Sequence, residues 1–394
     1  MTLPDPSPLA RHWGLDPEVV QLNHGSFGAA PLAVLARQRE LRDELEANPT
    51  GFFLRRFPEL LVEARSALGV FVGAEPDDLA LMPNATAGVN TALRSVPLGP
   101  GDELLITDHE YPACRNAAAE IAGSTGASLV VAPLPFPVED PRDLVTAVGD
   151  RLTDRTRLLL IDHVTSPTGL VLPVANLAAL ARERGTTTVV DGAHAPGMVD
   201  LDVAALGVDM YAGNCHKWMC APKGAAFLWV RPDLRDSIRP LVVSHGATAA
   251  EDRFRHEFDW TGTADPTPWL CLPTAIEVMA SLLPGGWPEV RQSNHDLALD
   301  ARDILCRTLG VEPPAPDSLL GSMASVPLPG RPDPTGPFAF DPLQDGLASR
   351  YRTETPVITW LPGTPRLLRV SAQLYNARAQ YEYLAAALGE LLGR

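Results

Sequence analysis

Lys217 stands in the run Tyr211-Ala-Gly-Asn-Cys-His-Lys-Trp218, after a stretch that reads as a strand and before Pro222, so it falls in a turn. Small residues there let a ligand approach closely, and turns on a rigid scaffold are common places for functional side chains. An amine that attacks a carbonyl must be neutral part of the time, which requires burial or nearby positive charge. Trp218 and His216 are the neighbours suited to supply these; an ordinary solvated surface lysine is the alternative. Upstream, Thr188-Val189-Val190 reads as a strand that delivers Asp191 at its carboxyl end, followed by Gly192-Ala-His194-Ala-Pro-Gly197. Open α/β sheets bind ligands at that edge. Asp191 there can hold a protonated ring nitrogen and His194 a ring oxygen, or the two can be a helix cap and a structural histidine. Pro83-Asn84-Ala85-Thr86-Ala87-Gly88 precedes a helical stretch. Its free N–H groups and the Thr86 hydroxyl make an anion site suited to a phosphate, or a simple N-cap.

These groups need a scaffold. Leu104–Thr107, Leu129–Val131, Leu158–Ile161, Thr188–Val190 and Ala226–Val230 are short apolar runs of the kind that form buried parallel strands. Helical spacing over 113–122 and 174–184 lies between them, and this alternation predicts an α/β fold with a mostly parallel sheet covered on both faces. Residues 1–60, with one helical stretch at 32–47, read as an arm that docks elsewhere and is expected to pack with the small domain; 61–275 reads as the large domain. After the Pro-Gly break at 284–286 come a helical stretch near 290–308 and a Pro-rich segment at 313–338, so 276–394 is expected to be a smaller α+β domain.

With 394 residues, 45% hydrophobic and 20% charged, the chain can build a sizeable core plus a second unit. The net charge of -16, spread along the chain, opposes binding to nucleic acid or anionic membranes. The N-terminus shows no cationic and apolar leader and no run is long enough to span a bilayer, so a cytoplasmic location is expected. The five cysteines, Cys114, Cys215, Cys220, Cys271 and Cys306, lack CxxC or Cys/His metal spacing; reduced structural thiols and no metal site are expected.

Together, the lysine, the ring-nitrogen carboxylate and the phosphate loop suit pyridoxal 5'-phosphate (PLP). The chain resembles the class V aminotransferase family of fold-type I PLP enzymes, and within it the isopenicillin N epimerase group. The matching elements are Leu22-Asn-His-Gly-Ser-Phe-Gly28, Asn84-Ala-Thr86, Thr107-Asp-His-Glu-Tyr111, His163-Val-Thr-Ser-Pro-Thr-Gly169, Val190-Asp-Gly-Ala-His-Ala-Pro-Gly197, His216-Lys-Trp218 and Leu368-Arg-Val-Ser371. They run in family order from residue 20 to 376. The resemblance implies that Lys217 carries PLP as a Schiff base, that Asp191 pairs with the pyridine nitrogen and that His194 and Ser166 lie near the ring oxygen. It implies Ala85, Thr86 and His216 at the phosphate, Tyr111 stacked on the cofactor face and Arg369 on the substrate α-carboxylate. Thr263, in Trp260-Thr-Gly-Thr263, matches a threonine that reaches the phosphate from the neighbouring subunit, which implies a homodimer with shared sites. Asn214-Cys215 departs from the small residues that commonly precede His-Lys, and Ser166 stands where many members have Asn.

Such enzymes act at the α-carbon of an amino acid, and the protein environment selects the outcome. Epimerisation needs a proton donor opposite Lys217, for which Tyr111, His24 and Cys215 are candidates, with His24 also a candidate substrate contact. β-Elimination needs one base and a leaving group on Cβ. Cys306 sits in a helical pattern without a Gly-rich mobile surround, against a desulfurase. The branch also resembles antibiotic-pathway enzymes, including those of lincosamide assembly, that process cysteine conjugates. The expectation is therefore a tailoring enzyme acting on a cysteine S-conjugate by C–S cleavage or decarboxylative oxidation. The alternative is an amino-acid epimerase, with aminotransferase or desulfurase behind. A non-catalytic scaffold should have lost Lys217, Asp191 or Arg369, and all three are present.

Overall fold

A computed structural model describes residues 1–330, 341–359 and 364–393. The 331–338 part of the Pro-rich segment lies outside the described residues.

Seven strands form the central sheet in the order Leu79–Met82, Ala226–Val230, Met210–Asn214, Thr187–Gly192, Thr156–Asp162, Glu103–Thr107, Ser128–Ala132. All five expected strands are present. Ala226–Val230 corrects the expectation in one respect: it pairs antiparallel with both of its neighbours, while the other six strands share one direction. Its uniform burial comes from a central position, and an apolar run carries no mark of direction. Leu79–Met82, not expected from the sequence, is four residues long and follows Asp77-Asp78.

Alternating residues along each strand enter two separate cores, as the pleat requires. Leu105, Leu159, Ile161, Val190 and Tyr211 face one side; Leu104, Ile106, Leu158, Leu160 and Val189 face the other. Helices Ala85–Ser95 and Pro112–Thr125 cover the second core with Val89, Ala92, Ala118 and Ile121. Helix Val174–Glu183 covers the first with Leu177, Ala178 and Ala181. The sheet is thus mostly parallel and covered on both faces.

A three-stranded antiparallel sheet, Val357–Ile358, Leu367–Ser371 and Met323–Pro327, lies beside the long helix Gly286–Leu309. The arm divides its contacts. Val20–Gln21 pairs with Thr353–Glu354, whereas helix Leu32–Ala47 packs on Thr267–Leu270 and Leu272–Ser281. Helix Leu272–Ser281 is continuous, so the expected boundary at 275–276 falls inside one element.

Candidate active site

Parallel strands end together at one edge of the sheet, and that edge carries the pocket. Its walls include Thr86, Tyr111, Asp162, Ser166, Asp191, His194, Asn214, His216 and Lys217, with Ser26 contributed by the arm. Lys217 sits in the hairpin between Met210–Asn214 and Ala226–Val230. The Ala225 carbonyl anchors this turn by accepting from the Cys215 N–H at 3.0 Å, the His216 N–H at 3.1 Å and His216 Nδ1 at 2.8 Å. Two glycines with positive φ press on it: Gly28 against the His216 carbonyl and Gly197 against the Trp218 backbone. A side chain at either would collide with the backbone that presents the lysine.

Lys217 gives up its proton more readily than a solvated lysine. Burial first, and the charge of Arg369 second, lower its pKa to about 8. The expected cation, His216, does not do this: burial lowers its own pKa to about 4, so it is uncharged at neutral pH. Lys217 Nζ lies 3.1 Å from His194 Nε2, and the Trp218 indole N–H points at His194 Nδ1 at 3.4 Å. An indole nitrogen only donates, so His194 carries its proton on Nε2 and can offer it to the amine once that is neutral.

Asp191 closes strand Thr187–Gly192. Its Oδ1 accepts from the Ala193 N–H at 2.9 Å and its Oδ2 from the Cys114 thiol at 3.1 Å. Beside it in register lies Asp162, and Glu110 is buried nearby. Both have their pKa raised well above the carboxylate range, first by burial, and for Asp162 next by Glu110 and for Glu110 next by Asp191.

At the start of helix Ala85–Ser95, Asn84 Oδ1 accepts from the Ala87 N–H at 2.8 Å. The Ala85 N–H, expected at a phosphate, is donated to Asn214 Oδ1 at 2.8 Å instead. That bond gives Asn214 its role, tying the helix start to the strand before Lys217. It leaves Thr86, which borders the pocket, as the residue of this helix start suited to an anion.

Arg369 is 3% exposed. Its Nη1 donates to the Ser166 carbonyl at 2.6 Å and to Ser166 Oγ at 3.1 Å; its Nη2 donates to Ser26 Oγ at 2.9 Å and Asn23 Oδ1 at 3.3 Å. Burial lowers its pKa to about 10, so it stays charged at neutral pH, and no carboxylate pairs with it among the described residues. An amine of lowered pKa and an open helix start line one cavity, and a buried cation without an anion stands behind its walls, bonded to Ser166 and Ser26. They fit a group with an aldehyde, a phosphate and a basic ring nitrogen, together with a carboxylate ligand.

Three residues lie elsewhere. His24, expected as a substrate contact, is buried behind the lysine, with Nε2 3.0 Å from the Lys217 carbonyl and Nδ1 3.1 Å from the Tyr375 hydroxyl. Cys215 is fully buried and outside the pocket walls. Thr263 lies on an exposed loop away from its own chain's pocket. Cys306 is within helix Gly286–Leu309, as its sequence context suggested. Sequence reasoning missed Ser26, Asn23, Asp162, Glu110 and Cys114, although the first four lie inside or beside motifs already singled out.

The Aminotransferase class-V family profile matches residues 29–318. The chain is 39% identical to isopenicillin N epimerase of Streptomyces clavuligerus, and 40% identical to that of Amycolatopsis lactamdurans, each over 96% of both chains. It is 28% identical to a probable chloroplastic L-cysteine desulfhydrase of Arabidopsis thaliana, over 96% of this chain and 84% of the other. Among solved structures, the fold is shared with the cysteine desulfurase CsdA of Escherichia coli, with a TM-score of 0.79, 21% identity and 97% of each chain covered. The cystine C–S lyase C-DES gives a TM-score of 0.77 at 22% identity, over 94% of this chain and 97% of the other. Together with the lysine, carboxylate and helix start at one sheet edge, these matches make the chain a PLP-dependent enzyme of the class V aminotransferase family, on its isopenicillin N epimerase-like branch.

Proposed function

We propose that the protein removes the α-proton of an L-amino acid bearing a cysteine thioether and cleaves its C–S bond. One observation carries the choice. Of three side chains considered as a proton donor opposite Lys217, His24 and Cys215 are withdrawn from the cavity, so the chain supplies one well-formed base. Elimination needs no more than that. Similarity to relatives named L-cysteine desulfhydrase supports this reading.

When bound, PLP supplies an electron sink for charge developing at the substrate Cα. Lys217 would hold the cofactor, and its neutral Nζ takes the α-proton; the C–H electron pair becomes the Cα=Cβ double bond while the C–S pair departs from Cβ on the sulfur as thiolate. Arg369 fixes the α-carboxylate, and its planar donors suit a bidentate grip. Asp191 would hold the ring nitrogen, Tyr111 would serve the ring face, Thr86 and His216 would hold the phosphate, and His194 and Ser166 would serve the ring oxygen. Thr263 serves the phosphate of the partner's site in a homodimer, and the enzyme works in the cytoplasm, which suits five unpaired buried cysteines.

A second reading, epimerisation, has its own support: the Tyr111 phenol borders the cavity with its pKa raised, first by burial, and the two isopenicillin N epimerases are 39% and 40% identical. In deuterium oxide, a cysteine thioether should yield free thiol and pyruvate or a dehydroalanine-derived product. Return of both stereoisomers with deuterium at Cα and the C–S bond intact would replace the first reading by the second.

A further inference from the structure

Four ionisable side chains crowd one buried place beside the pocket: Glu110, Asp162, Asp191 and Cys114. Ligand atoms of Glu110, Cys114 and Asp191 all lie within 4.8 Å of one another. Their hydrogen bonds are unequal. Asp191 receives the Ala193 N–H and the Cys114 S–H. Both oxygens of Glu110 and Oδ2 of Asp162 are buried with no donor among the described residues. Ionised, three carboxylates here would hold three buried charges with few donors, and a poorly paired buried charge is costly enough that such a group takes up a proton instead. A carboxyl group beside another carboxyl supplies its own donor.

We propose that Glu110 and Asp162 form a protonated carboxyl pair, so that the buried cluster bears a single negative charge and Asp191 carries it to the cofactor's ring nitrogen. This rests on the PLP assignment. The pair acts through Asp191, so Glu110 and Asp162 are positioning residues. Burial favours protonation of both, as does repulsion from Asp191 and, for Asp162, from Glu110; the Tyr111 N–H, a hydrogen bond from Asp162 and Arg115 pull Glu110 the other way, and the Asp162 N–H does so for Asp162. In the cofactor-free chain Lys217 is a further cation within reach of Asp191, Cys114 and Asp162, and it balances the one charge left on the cluster. Cys114 remains a thiol because burial raises its pKa, while burial also keeps Tyr211 protonated and His163, 2.7 Å from the Tyr211 hydroxyl, neutral.

The pair lies on the side of Asp191. A second negative charge there would raise the proton affinity of Asp191 more than that of the ring nitrogen, and the shared proton would move off the ring. A neutral pair keeps it on the ring, as the electron sink requires.

Two measurements test this. In the full chain freed of cofactor at pH 7, infrared difference spectra of wild type against Glu110→Gln and against Glu110→Gln/Asp162→Asn should show lost protonated-carboxyl absorption. Loss of carboxylate bands alone would overturn the proposal, whatever the cofactor's fate. In the loaded enzyme, the 15N resonance of ring-labelled PLP should report a protonated ring nitrogen that is lost at alkaline pH. In the double variant, that loss should move upward by about one pH unit or more, since the pair can no longer ionise. An unmoved midpoint would also overturn it. Failure of the wild-type chain to bind labelled PLP at all would instead count against the cofactor assignment.

Discussion

Replacing Arg369 with lysine keeps the charge and removes the fork. In the structure the two terminal nitrogens hold four acceptors, at 2.6 and 3.1 Å on Ser166 and at 2.9 and 3.3 Å on Ser26 and Asn23. A carboxylate has to displace some of these neutral acceptors, and a lysine ammonium cannot then offer it two parallel donors while keeping the rest. Loss of one charge-assisted bond is worth about 1.5–3 kcal/mol. That corresponds to about a 10- to 100-fold rise in KM for the amino-acid substrate. Steady-state kinetics on a cysteine thioether should show KM rising while kcat changes less, the pattern of lost ground-state binding. PLP affinity, followed by fluorescence titration, should change far less than KM. An unchanged KM, or a PLP affinity that falls in step with it, would remove Arg369 from the carboxylate site.

Borohydride reduction of the loaded protein should bleach the visible cofactor band and leave the label on the peptide containing Lys217; a label on another lysine would refute the assignment. Lys217 should also leave a pH signature in the cofactor-free chain. Its pKa falls from 10.5 to about 8 on folding, so between these values the unfolded chain holds a proton that the folded chain has released, and stability rises with pH. Below about pH 8 the charged lysine costs about 3 kcal/mol, so Lys217→Met should be the more stable chain at pH 7 and its advantage should shrink from pH 8 to 10.5. A constant gap in denaturant titrations would refute the lowered pKa. Solution mass should be that of a dimer, with Thr263→Ala weakening PLP binding; a fully active monomer would contradict shared sites.

Legibility differed with the kind of information each residue carries. The strands around Leu104, Leu158 and Val189 were readable because burial on two faces demands uninterrupted apolar runs, and Lys217 and Asp191 because their motifs follow such runs. The reversed direction of Ala226–Val230 was not readable, since hydrophobicity is the same in either sense. Leu79–Met82 is too short to stand out beside two aspartates. Glu110 and Asp162 read as ordinary charged residues because nothing local reveals that a loop and a strand end bring them together under cover. His24 sat in a recognisable motif, but its motif could not say that both nitrogens would be spent on Tyr375 and the Lys217 carbonyl. Likewise the cation beside Lys217 comes from Arg369, far away in sequence, and not from adjacent His216.

The reversal of Ala226–Val230 bears on how the site is assembled. Parallel neighbours need a crossover through a helix before they can pair, whereas antiparallel ones close through a local turn. Lys217 lies in such a turn, and its anchor on the Ala225 carbonyl comes from the same hairpin. Its closure spans few residues and has low contact order, so the loop-entropy cost is small and no distant segment is required. Asp191 comes from another strand, Tyr111 from the start of helix Pro112–Thr125 and Arg369 from another sheet, and they reach the lysine only through long-range packing. The nucleophile's immediate surroundings can therefore organise early in folding, and the groups that tune it arrive with the completed sheet.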